Sequence, residues 1–83
     1  MTDLTTNEAR VIIYLDQVKE PQLRYPSYIS AKLNIDRMYC YSILKRLIVN
    51  KWARIEDYNV KSYYFLTRKA PLAEAKKLLA KRK

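Results

Sequence analysis

The sequence predicts a mostly helical α+β fold: a three-helix core, a β-hairpin and a closing helix. Three observations carry this reading. Apolar residues recur at helical spacing in three successive segments before Trp52. Beyond it, residues 53–57 and 62–66 alternate or are rich in strand formers. The chain then returns to a helical pattern, with Leu72, Ala75, Leu78 and Leu79 on one side.

Each element follows from local chemistry. Thr5 and Glu8 have capping-box spacing, in which each side chain satisfies one free amide at a helix start. Val11, Ile12, Leu15 and Val18 give that helix one apolar face, and it is expected to end near Glu20, ahead of Pro21. Residues 22–25 read as a short extended segment. A second helix over residues 27–33 turns Ile29 and Leu33 inward, and Asn34 tolerates the left-handed turn that must follow. Asp36 is a suitable N-cap for a third helix from Arg37 to about Asn50. Its apolar stripe is Cys40, Ile43, Leu44, Leu47 and Ile48. The opposite face carries Arg37, Met38, Tyr41, Ser42 and Lys45, with Tyr39 and Arg46 at its flanks. Residues 58–61 join the two strands in a looser turn than an Asn-Gly pair would make. Thr67 is expected to cap the last helix, which runs through Lys83 with basic residues at its C-terminal end. The whole chain, residues 1–83, reads as one domain. Its helix-turn-helix occupies about 27–50, its hairpin 53–66 and its last helix about 68–82.

Composition narrows the function. Seventeen Lys and Arg against eight Asp and Glu give a net charge of +9 in 83 residues. Such an excess suits a polyanionic partner, either nucleic acid or an anionic membrane surface, although a plainly basic soluble surface has the same composition. With one cysteine, Cys40, no internal disulfide can form, which fits a reducing, cytoplasmic setting. Histidine is absent, removing the commonest general base and the commonest zinc ligand together. Glycine is also absent, so no Gly-rich phosphate loop can exist. The carboxylates are scattered, and the adjacent pair Glu56 and Asp57 would point to opposite faces of a strand. Neither an enzyme nor a metal or cofactor site is expected. No apolar run approaches a membrane span, and the Lys-rich segment 76–83 lacks the aromatic anchors of a membrane-surface helix.

A family resemblance rests on four stretches. Residues 28–36 look like the first half of a helix-turn-helix, with Ala31 as the small residue that lets two helices approach and Leu33 and Ile35 bracketing the turn. Residues 40–47 look like a recognition helix, residues 50–55 like the exit into a wing, and residues 64–67 like the return strand. Together they resemble the winged helix-turn-helix regulators of the MarR, ArsR and PadR type, especially the very small ones of crenarchaea and their viruses and plasmids. The resemblance covers Leu4 to about Leu79. Where that family commonly carries Gly, at the turn and at the start of the wing, this chain carries Asn34 and Lys51, and its wing is short.

The resemblance implies a homodimeric transcriptional regulator that binds double-stranded DNA sequence-specifically, with no small-molecule substrate. The recognition helix would enter the major groove and the wing would touch the backbone or the minor groove. The residues implied as contacts are Arg37, Met38, Tyr39, Tyr41, Ser42, Lys45 and Arg46 on that helix. Lys51 follows at its exit, Ser27, Tyr28 and Lys32 come from the second helix, and Arg54 and Lys61 from the wing. Dimerisation is expected through the terminal helices, by Val11, Tyr14 and Val18 with Leu72, Ala75 and Leu79. Two alternatives share the fold: a protein-interaction module in a larger assembly, and a protein that coats DNA without sequence preference. Trp52 is expected to fill the junction of helix and wing. Of Tyr63 and Tyr64, one should be buried and the other exposed. The lack of glycine fits a heat-adapted source, because fewer glycines lower the entropy of the unfolded chain.

Overall fold

The computed structural model describes residues 4–58 and 61–80. Helix α1 spans Thr6–Gln17, a 3₁₀ turn Pro21–Arg24, α2 Pro26–Leu33 and α3 Arg37–Val49. Strands β1 (Ala53–Tyr58) and β2 (Lys61–Leu66) then form an antiparallel hairpin, and α4 covers Leu72–Ala80. This is the predicted order, with differences at the boundaries.

The capping box at the head of α1 forms as the spacing requires. Thr5 N–H donates to Glu8 Oε1 at 2.9 Å and Glu8 N–H donates to Thr5 Oγ1 at 3.1 Å. The helix stops at Gln17, short of the expected Glu20, because Val18 is already extended and its carbonyl accepts from Arg24 Nη2 at 2.6 Å. The segment after it is a 3₁₀ turn instead of an extended strand, started by Pro21 and closed by Leu23 N–H on the Glu20 carbonyl.

Helices α2 and α3 end in the same way. Ile35 N–H reaches the Ser30 carbonyl (2.9 Å) and Asn34 N–H the Ala31 carbonyl (3.3 Å). Seventeen residues on, Trp52 N–H reaches the Leu47 carbonyl (2.8 Å) and Lys51 N–H the Ile48 carbonyl (2.9 Å). Both are Schellman closures, which put one residue in the left-handed region. Those residues are Asn34 (φ 55°) and Lys51 (φ 64°), the two positions where the resembling family favours glycine.

The core lies where α1, α2 and α3 meet the base of the hairpin and α4. Val11, Ile12, Leu15, Ile29, Cys40, Leu44 and Leu47 are fully buried, and Trp52 and Leu66 pack against them. Burial of the side chains of Val11, Ile12, Leu15, Ile29, Leu44 and Leu47 contributes about 1.5–3 kcal/mol each before chain entropy is counted. The small residue at the approach of α2 to the core is Ser30, whose hydroxyl donates to the Ser27 carbonyl at 3.1 Å; Ala31, expected in that role, is exposed.

The strands pair in full register, from Ala53↔Leu66 to Tyr58↔Lys61, so pairing takes in Tyr58 and Lys61, both expected in the turn. Asn59 and Val60 themselves lie outside the described residues. Thr67 does not cap α4. It pins the base of the hairpin, donating from Oγ1 to the Lys51 carbonyl at 2.7 Å and from N–H to the Trp52 carbonyl at 2.9 Å. Helix α4 begins only at Leu72, after a turn and Pro71, and the predicted basic end at Lys81–Lys83 lies outside the described residues.

Candidate nucleic-acid interface

Helix α3 is fixed at its start by Asp36, whose Oδ2 accepts from the N–H groups of Met38 (3.1 Å) and Tyr39 (3.3 Å). Its buried stripe, Cys40, Ile43, Leu44 and Leu47, turns the opposite side outward. The crest of that side is the series Met38, Ser42, Lys45 and Val49, at i, i+4, i+7 and i+11, about 16 Å long. All four are exposed, Met38 by 79% and Val49 by 70%. Arg37 and Tyr41 flank the crest on one side, Tyr39 and Arg46 on the other, and all four are exposed as well. The seven α3 residues predicted as contacts therefore share one outward arc.

Their freedom differs. Ser42 Oγ donates back to the Met38 carbonyl at 3.3 Å, leaving its lone pairs outward. Arg46 is the exception among the cations: its Nε lies 3.1 Å from Glu8 Oε2, so this side chain is tied to the start of α1. On α2, Tyr28 and Lys32 are exposed and Ser27 is half-buried. Lys51 is exposed just beyond α3.

The hairpin cations are engaged within the protein. Alternation and register give one face Arg54, Glu56, Tyr63, Phe65 and Lys61. This face meets the 3₁₀ turn. Arg54 pairs with the Glu56 carboxylate and lies over the Phe65 ring, 4.8 Å from its centroid. Lys61 Nζ stands 5.3 Å from the Tyr25 ring centroid, and Tyr25 packs on Tyr63 at 6.1 Å. Tyr64 is buried on the core face and Tyr63 is half-buried, so one ring of the pair is enclosed as expected but the other is not fully exposed. Burial raises the Tyr64 hydroxyl above the ordinary tyrosine pKa.

Arg24 carries no signal in the sequence beyond its charge, yet it locks the hairpin to the body. Its Nη1 donates to the Tyr64 carbonyl (3.2 Å), its Nη2 to the Val18 carbonyl, and its guanidinium lies 4.6 Å from the Phe65 centroid. Burial, with Arg54 nearby, lowers its pKa. Arg10 works similarly, donating to Asn7 Oδ1 (3.1 Å) and to the Leu33 carbonyl at the end of α2. Val49 was also missed, although extending the Met38 series by one more turn reaches it.

The dimer residues divide. Val11 and Ala75 are fully enclosed because α1 and α4 make the most extensive helix–helix contact of the protein and bury them in its own core. Neither is available to a partner. Tyr14, Val18, Leu72 and Leu79 remain half-buried. Tyr14 and Val18 line a groove of about 720 Å³ beside Leu23, Tyr28 and Lys32, and Tyr14 and Leu79 line a smaller one of about 330 Å³.

Among the described residues no group of three side chains could hold a metal ion, and no helix is long and apolar enough to cross a membrane.

The sequence matches no protein-family model and no curated protein. Solved structures do match. The adhesin competence repressor AdcR of Streptococcus pyogenes superposes with a TM-score of 0.78 at 18% identity, over 96% of this chain and 60% of that one. ZitR of Lactococcus lactis, solved in complex with DNA, gives 0.75 at 20% identity, over 98% of this chain and 56% of that one. A protein of Archaeoglobus fulgidus gives 0.69 at 16% identity, over 96% of this chain and 88% of that one. The chain thus spans little more than half the length of the two bacterial proteins. At these identities it is the architecture that is shared, and the fold is that of a winged helix-turn-helix protein.

Proposed function

We propose that the chain binds double-stranded DNA as a sequence-specific transcriptional regulator, with α3 in the major groove. The carrying observation is the outward arc of α3. It sets Arg37, Lys45 and the Ser42 hydroxyl among exposed Met38, Tyr39 and Tyr41, on a protein of net charge +9. Arg37 and Lys45 suit guanine O6 and N7 or phosphate, Ser42 suits most bases, and the tyrosines suit phosphates and thymine methyls. The likeness to the repressor AdcR and to ZitR, solved with DNA, supports the same reading.

The other residues contribute as follows. Tyr28 and Lys32 on α2 and Lys51 beyond α3 hold phosphates, with Ser27 as a partly covered helper. Arg46 acts first through Glu8. The wing touches the backbone with Arg54 and Lys61 only if each leaves its aromatic partner, so its share of affinity is small. A two-fold dimer through Tyr14, Val18, Leu72 and Leu79 would read two half-sites. The whole chain acts as one domain inside the cell.

Footprinting on genomic DNA, combined with a salt titration of affinity, tests this. Neutralising about four phosphates per monomer gives a slope of log K against log salt of about −3.6. A discrete protected palindrome supports a regulator, and uniform protection supports a coating protein instead. Absence of binding at low salt overturns both and leaves protein interaction. Lys45→Glu should weaken binding with the fold intact.

A further inference from the structure

The crest of α3 opens with an apolar side chain. Met38 is 79% exposed, the first residue of the series Met38, Ser42, Lys45 and Val49, and it is flanked by Tyr39 and Tyr41, each 45% exposed. Single exposed apolar residues are ordinary on any surface. Three within four positions, at the end of a helix that starts a basic face, are not.

The carboxylate nearest this end serves the helix cap. Asp36 is the acidic residue at the head of α3, and its carboxylate accepts from the N–H groups of Met38 and Tyr39. Both contacts fall on Oδ2, so the cap fixes the orientation of this carboxylate at the start of the helix, just before the crest. Toward base edges the crest offers donors on Arg37 and Lys45, the Ser42 hydroxyl, and, at its head, apolar surface on Met38 and Tyr41. In the major groove the apolar feature is the C5-methyl group of thymine. A thioether on three rotatable bonds adapts to such a contact.

On the DNA-binding reading above, we propose that Met38 reads thymine methyl groups, making methyl-bearing positions a determinant of the site this chain prefers. Arg37, one residue earlier, supplies the donor for a guanine beside them.

The test uses a duplex selected by the full chain from a random-sequence library, resynthesised with deoxyuridine in place of thymidine at one position at a time. Each replacement deletes one methyl and leaves base pairing unchanged. Wild-type protein is expected to lose about three- to fivefold in affinity at one or two positions per half-site, the worth of one buried methyl. Met38→Ala is expected to bind the thymidine duplex more weakly and to bind both duplexes alike, while Met38→Leu keeps most of the discrimination. Equal wild-type affinity for both duplexes overturns the proposal while leaving DNA binding standing. So does a Met38→Ala protein that retains the full ratio. Failure to bind any duplex at low salt overturns the DNA-binding reading and this one together.

Discussion

Arg46 Nε lies 3.1 Å from Glu8 Oε2, and the Glu8 side chain is only 5% exposed. One carboxylate thereby closes the capping box of α1 with one oxygen and holds the last turn of α3 with the other. Arg46 is itself nearly half exposed, so water screens the pair and its removal costs less than a fully buried one. Arg46→Ala should cost about 1–2 kcal/mol and Glu8→Ala about 2–3 kcal/mol in urea unfolding, because the latter also opens the cap. Equal losses would mean that the cap contributes nothing.

The two left-handed residues give opposite expectations. Lys51 holds a conformation that costs a residue with a Cβ about 1 kcal/mol, so Lys51→Gly should stabilise by up to that amount. Asn34 tolerates the same region better, so Asn34→Gly should change little, whereas Asn34→Val should destabilise by more than 1 kcal/mol. Denaturant midpoints at constant slope are the measurement.

Burial pushes the Cys40 thiol up to about 11, against about 8.5 in an unfolded chain. Between these values the unfolded chain loses its proton and the folded chain keeps it, so stability is full below pH 8.5 and falls as pH climbs toward 11. The loss is at most about 1.4 kcal/mol per pH unit. Tyr14 and Tyr64, also raised by burial, add a loss of the same sign near the upper end. Cys40→Ala should flatten the stability profile between pH 8.5 and 10. Alkylation of Cys40 at pH 8 should be fast only in denaturant.

Arg24→Ala removes two hydrogen bonds to carbonyls and a ring contact that together hold β2 to α1. It should cost about 2 kcal/mol and speed amide exchange in residues 61–66 before exchange in α3. Uniform acceleration across the protein would show that the hairpin is not separately anchored.

The sequence carried what depends on local chemistry. The Thr5 and Glu8 cap, the Asp36 cap, the turn at Asn34 and the outward arc of α3 each follow from a spacing or a side chain that acts on its own backbone. Side chains that act at a distance left no such trace. Arg24 joins residues 18, 64 and 65, and Arg46 joins α3 to α1; the sequence offers no role for the first and only a DNA contact for the second. The expected dimer residues failed at Val11 and Ala75 for a related reason: an apolar stripe on a terminal helix does not say whether its partner is another protomer or, as here, α4 and α1 of the same chain. Thr67 was misread because a hydroxyl before a helix looks like a cap even when its partner is the Lys51 carbonyl.

The anchoring of the hairpin also bears on kinetics. With Arg24 stacked on Phe65 and Lys61 over Tyr25, the wing is in place before any encounter. Little order remains to be created when a partner arrives, so association should run near the rate set by charge steering. Discrimination between partners would then appear in how long each complex lasts.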